Sequence, residues 1–246
     1  MFVKANENKK KKHKLKIKET ITNIFCDEGF LPAAKQEILL QRRYLEDYIQ
    51  ENPSFRLALE PYEVSPDAPE IIKRMANSAA KAGVGPMASV AGAIAEYAVK
   101  AMVDAGAAHA VVDNGGDIAM FLNHPIVVGI YAGESEIDNL GLRFIPEGVI
   151  SGICTSSATV GPSLSFGKAD AAVVLSKDVI FADAVATSLG NAITQKNQKL
   201  IEKAMDSHMM ENIEGLIVLV EDIVGMCGEL PDIVKIDMDY NLITRG

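Results

Sequence analysis

The stretch 87–105, MASVAGAIAEYAVKAMVDA, most constrains how this chain can fold. Wound at helical period it is apolar nearly all round. Only Glu96, Lys100 and Asp104 are charged, and their four-residue spacing puts them on one stripe. Such a helix is stable only when other parts of the chain cover most of its circumference. Gly92 offers a point where a neighbour can pack closely. With 246 residues, 48% of them hydrophobic, the chain can build the core this burial needs, in one large domain or two small ones.

The surrounding patterns alternate between two periods. Residues 14–25 carry Leu15, Ile17 and Ile21 on one parity, with Glu19 as the one break, and predict a half-buried strand. Residues 32–51 have the spacing of an amphipathic helix that ends at Asn52-Pro53, and 54–64 suggest a short strand. Ser65-Pro66-Asp67 is read as a helix start, with Ser65 as N-cap, running to about Ala82 before the breaker Gly83-Val84-Gly85-Pro86. HAVVDNGGDIAMFL and IVVGIYAG predict three strands of an antiparallel meander. A strand over 142–152, the strand ADAAVVLSK, helices in 178–193 and 197–211, and strands at 215–221 and 233–237 complete the reading. Helices in blocks between runs of strands point to an α+β fold rather than a doubly wound parallel sheet.

Charge is unevenly spread. Residues 1–18 hold eight Lys and one Glu, so they carry +7 of a net −9 and the remainder carries −16. Residues 1–12 are expected as a basic flexible tail and 13–246 as a single domain. An acidic body excludes broad nucleic-acid binding, which needs clustered Lys and Arg. No signal-peptide pattern is visible at the N-terminus, and the longest apolar run, near 215–224, is broken by Glu221 and Asp222, so no membrane partner is expected. Three scattered cysteines, Cys26, Cys154 and Cys227, argue against a disulfide framework or a structural zinc site and fit a cytoplasmic setting.

Three segments could carry chemistry. Asp113-Asn114-Gly115-Gly116-Asp117 is a turn whose two glycines can expose successive backbone N–H groups to an anion, although an ordinary hairpin turn explains it equally. Thr155-Ser156-Ser157, with Thr159, Ser163, Ser165 and Lys168, gathers six hydroxyls and a cation within 14 residues, which suits phosphate or ribose oxygens as well as a plain polar loop. In FADAVATSLGN, Asp183 and Thr187 are i and i+4 on one helical face. A carboxylate and a hydroxyl so placed form a hard-oxygen site for Mg²⁺, while a first-turn acid answering the helix dipole is the simpler use. The four histidines show no ligand spacing, and no G-x-S-x-G or Rossmann fingerprint is present.

Taken in order, GAIAEYAV, VVDNGGDIAMF, the Thr-Ser-Ser loop and FADAVATSLGN resemble the ApbE superfamily of FAD:protein FMN transferases, over roughly 80–195. The likeness is to a branch from archaea and some bacteria that lacks the lipoprotein signal. It implies an ApbE-like fold of antiparallel sheets with helices packed on them. It also implies a flavin or other nucleotide ligand near Asn114, Gly115, Gly116, Asp117, Thr155, Ser156, Ser157 and Lys168. Mg²⁺ on Asp183 and Thr187, which would be the catalytic pair, and transfer of FMN from FAD to a protein acceptor follow from the same likeness. Two departures stand out. The Lys and second Gly of the transferase pattern G-x-x-K-G-x-x-x-D are missing from GAIAEY, where Glu96 brings the opposite charge, and the H-x-x-D-P-x-T-G segment is replaced by SLSFGKAD. The alternative is a non-catalytic or accessory protein on the same scaffold, linked to sulfur assimilation and homocysteine formation, with Cys154 as its thiol. The apolar helix and long sheet edges suggest a homodimer.

Overall fold

Strands that read AAVVLS and LIVLV have no polar parity, which is the mark of a sheet covered on both faces. In the computed structural model, which describes residues 1–4, 11–18, 20–131, 139–158 and 167–236, this is how they are used. The element order is β1 (Phe2–Lys4), β2 (Lys11–Ile17), β3 (Thr20–Cys26), α1 (Leu31–Glu51), α2 (Pro53–Leu57), α3 (Glu70–Ala82), α4 (Val90–Asp104), β4 (Ala110–Asn114) and β5 (Asp117–Phe121). There follow β6 (Ile126–Ile130), β7 (Leu140–Phe144), β8 (Ser151–Ser156), β9 (Ala171–Ser176), α5 (Val179–Ala192), α6 (Gln198–His208), β10 (Gly215–Val220), β11 (Ile223–Gly228) and β12 (Asp232–Lys235).

Eight strands form one antiparallel sheet in the order β11-β10-β9-β8-β5-β4-β3-β2, and four form a second in the order β1-β6-β7-β12. Strand parity sorts the side chains into two cores. Val112, Ala119, Cys154, Ala172, Val174 and Val218 pack against the helices. Val111, Ile118, Ile153, Val173 and Ile217 pack against Val128, Ile130 and Leu142 of the smaller sheet. The result is three layers: helices, large sheet, small sheet. Helix α4 lies inside, against α1, α5, β4 and β5, as its all-round apolar surface requires.

Several expectations are corrected. Residues 14–25 are not one strand: the chain turns at Lys18, at φ +52°, which leads from β2 into β3, and Glu19 lies outside the described residues. Residues 54–64 are not a strand either. Pro53 opens the short helix α2, which buries Phe55 and leaves Leu57 and Leu59 exposed. Ser65 does not cap α3; its hydroxyl accepts from the Asp67 N–H in a turn, and a second proline, Pro69, delays the helix to Glu70 because the residue before a proline is driven out of helical conformation. The meander is interrupted, since β6 leaves β5 for the smaller sheet. Residues 142–152 divide between β7 and β8 in different sheets, and β11 is an additional strand. The first 12 residues are not wholly a free tail: β1 pairs with β6, Met1 and Val3 are buried, and Lys11 and Lys12 of β2 pair with Cys26 and Phe25 of β3.

Candidate active site

The site begins with helices α4 and α5, which cap each other. The first N–H groups of a helix have no partner inside it. At α5, the Asp178 carboxylate accepts from the Phe181 N–H at 3.1 Å, and Glu96 of α4 accepts from the Val179 N–H at 2.9 Å. At α4, Asp183 of α5 accepts from the Gly92 N–H at 2.8 Å and from the Ala91 N–H. The helices can approach this closely because residue 92 is glycine. A Cβ there would lie 2.7 Å from the Val179 carbonyl oxygen and 2.8 Å from Asp183 Cβ.

The two acids differ in their company. Glu96 is met by the Arg74 guanidinium at 2.5 Å, which also reaches Asp178 at 3.4 Å. No ion pair reaches Asp183 among the described residues. It faces Asp117 instead, and burial first, then that neighbour's charge, push its carboxyl well above the usual range despite the two amides. Asp117 is raised to about 7, mainly by burial; the Thr155 N–H at 3.2 Å and the Cys154 thiol oppose the shift.

Asp117 is brought there by the tight turn before it. Asn114 pairs with Asp117 across the β4–β5 hairpin, and Gly115 and Gly116 between them sit at φ +73° and +108°, where side chains are disfavoured. The Asn114 amide donates to the Ala91 carbonyl at 3.0 Å and ties the hairpin to the start of α4. The Gly116 N–H is used internally, donating to Asp113 at 3.1 Å, so it does not serve as a free anion donor.

Asp117, Asp183, Thr187 and Asn191 line one cavity of about 290 Å³, closed by Met87, Ala88, Val90 and Ala91 and rimmed by Arg56, Ala58, Leu59, Val84 and Gly85. Thus Asp183, Thr187 and Asp117 meet, with Asn114 just behind Ala91. The glycines of the turn do not line the cavity. Ser156 is on the helix side of β8, where its hydroxyl lies 3.2 Å from the point a Cβ on Gly190 would occupy. Thr155, on the opposite parity, turns away, and its Oγ1 is buried without a hydrogen bond. Ser157 follows the strand, and Lys168 is exposed, its backbone N–H donating to the Ile193 carbonyl at 2.6 Å. Thr159, Ser163 and Ser165 lie outside the described residues. Sequence reasoning missed Arg56 and Asn191. Asn191 was readable as the next i+4 position after Asp183 and Thr187, whereas nothing local to Arg56 signals it.

Cys154 is fully buried under this floor, and burial holds its thiol well above its usual range, next to Asp117 and Asp183. It also lies 3.5 Å from the Val179 carbonyl. A sulfur carrier needs an accessible thiolate, and Cys154 is wholly buried, where desolvation works against ionisation.

The comparisons with known proteins bear on this geometry. A family model described as AbpE bacteria matches residues 6–216. The chain belongs to this family. Its sequence relatives include a UPF0280 protein of Methanococcoides burtonii, 49% identical over 96% of this chain and 100% of that protein. Another from Archaeoglobus fulgidus is 44% identical over 96% of this chain and all of that one. The fold matches the crystal structure of the flavinyl transferase ApbE of Pseudomonas stutzeri in its apo form, at TM-score 0.57 and 12% identity, over 97% of this chain and 98% of that one. It also matches the ApbE protein of Thermotoga maritima at TM-score 0.53 and 10% identity, over 88% and 96%. The architecture is therefore ApbE-like α+β, with antiparallel sheets carrying helices. Among the described residues no helix is long and apolar enough to cross a membrane.

Proposed function

We propose that this protein is a Mg²⁺-dependent nucleotide-binding transferase that acts on the pyrophosphate of FAD or a related nucleotide and passes the nucleotidyl group to an acceptor hydroxyl, on a protein in the FMN-transferase form. The observation that carries the reading is the pair of buried acids, Asp117 and Asp183, beside Thr187 in one cavity, where the Met1 α-ammonium acts on Asp117 but no ion pair reaches Asp183 among the described residues.

The donor set fits the metal. Among the described residues no group of three or more His, Cys, Asp or Glu is gathered, as a transition-metal cage would require. Two carboxylates and a hydroxyl suit Mg²⁺, which retains waters and recruits phosphate oxygens. Asp183 and Thr187 would hold it, with Asp117 bringing a second carboxylate to the same floor. Bound there, the ion would supply neutralisation of charge developing on the phosphates.

The chain's own groups do the positioning. The Ala91 and Gly92 amides fix the Asp183 carboxylate and set its free lone pairs toward the cavity. Asn114 and the hairpin pin Asp117 to the same helix end. Apolar walls from Met87, Ala88 and Val90 lower water access and strengthen the electrostatics inside. Glu96 does not disturb this site, because Arg74 and the Val179 amide already occupy it.

The test is release of AMP from FAD with Mg²⁺ present. Release that depends on the metal and is lost in Asp183→Ala supports the reading. No release, together with no FAD binding at millimolar Mg²⁺, removes it.

A further inference from the structure

A pocket for a polyanion needs a cation beyond its metal, and GAIAEY of α4 lacks the Lys of the transferase pattern and carries Glu96 instead. The cations near α5 are mostly committed. Arg74 is held by Glu96 and Asp178 and lies over the Tyr97 ring at 5.7 Å. Lys81 lies 5.7 Å over the Phe181 ring, and Lys168 does not line the cavity. Arg56 does line it, is exposed, and makes no ion pair among the described residues.

The backbone that carries Arg56 is held firmly. Phe55, fully buried, is clasped edge-on by Tyr48 at 5.1 Å and Tyr62 at 5.6 Å. The chain then crosses the turn before α4 so tightly that a Cβ on Gly85 would lie 1.8 Å from the Ala58 carbonyl oxygen. A fixed rim thus carries Arg56 into the lining of the cavity that Asp117 and Asp183 also line. Beside it Leu59, 63% exposed, offers apolar surface to a flat ring.

We propose that Arg56 is the phosphate-binding and specificity residue of this cavity. It grips one phosphate of a nucleotide diphosphate while the acid floor and its metal take the other. The proposal rests on the nucleotide reading above and names the residue that replaces the missing Lys. A guanidinium matches two phosphate oxygens at once, which selects phosphate-bearing ligands over neutral ones of the same shape.

The experiment is FAD binding, followed by quenching of flavin fluorescence with Mg²⁺ present, over a range of NaCl, for wild type, Arg56→Ala and Arg56→Lys. Arg56→Ala should weaken FAD binding by roughly 10- to 100-fold, as loss of a charge-assisted hydrogen bond does, and should flatten the salt dependence. Arg56→Lys should keep the salt dependence and recover part of the affinity. Arg56→Ala binding like wild type overturns the proposal. So does weaker binding with an unchanged salt dependence, because a packing role would give that result. If wild type binds no FAD at all, the nucleotide reading itself fails, and this inference falls with it.

Discussion

Helices α4 and α5 each end on a carboxylate lent by the other, yet the two junctions are built for different ends. Glu96 at the start of α5 is answered by Arg74, and both the amide and the charge are satisfied. Asp183 at the start of α4 has its amides but meets a second acid instead of a base. A buried charge left unpaired is costly, and a fold keeps one where a ligand completes it. The same capping chemistry is matched by a base at one junction and faces a second acid at the other, and under the proposed function that second junction is the one a metal would complete.

The largest expected difference between the junctions is in activity. Asp183→Asn keeps an oxygen for the Ala91 and Gly92 amides but removes the charge. It should fold with an unchanged or higher melting temperature, while Mg²⁺-dependent AMP release falls by roughly 100-fold or more, the scale of losing one electrostatic stabiliser of a transition state. Glu96→Ala is expected to do the reverse. It strands the Val179 amide and leaves Arg74 only its longer contact with Asp178, and should cost about 2 kcal/mol in urea unfolding, with Mg²⁺ binding retained; the Arg74 side chain is partly exposed, which keeps the loss below that of a fully buried pair. Gly92→Ala should affect both junctions, because its Cβ meets backbone and Asp183 together. About 1–3 kcal/mol of stability and part of the Mg²⁺ affinity should go.

A smaller effect separates the junctions by pH. Asp117 is raised from 3.8 to about 7, so between those values the folded state holds a proton that the unfolded chain has lost. Asp117's contribution to stability without metal should therefore be fully present below about pH 4 and be lost as pH rises through about 7. Asp117→Asn should flatten that decline. Melting temperatures from pH 4 to 8 would show it, and a decline that persists unchanged in Asp117→Asn would assign it to other groups.

Much of this was legible in the sequence, for reasons tied to particular residues. The buried helix declared itself by its all-round apolar surface, and Asp183 and Thr187 by helical spacing. The α+β class followed from the blocks of periodicity. What stayed hidden depends on neighbours far along the chain. Glu96 reads as a charge reversal until Arg74, 22 residues earlier, is seen beside it. Residues 14–25 read as one strand, although Lys18 turns the chain between β2 and β3. The glycine turn suggests an anion cradle, yet Asp113 has already taken the Gly116 amide. Arg56 lies on a five-residue helix with no motif, and only the crossing over Gly85 brings it to the cavity.

Mg²⁺ titration followed by thermal unfolding at pH 8 tests the contrast most directly, using wild type, Asp183→Asn and Glu96→Gln. A cation that binds only the folded state raises its melting temperature with concentration. Wild type and Glu96→Gln should both rise, and Asp183→Asn should not. A rise in Asp183→Asn equal to wild type would place the cation elsewhere and leave the acid pair without its purpose.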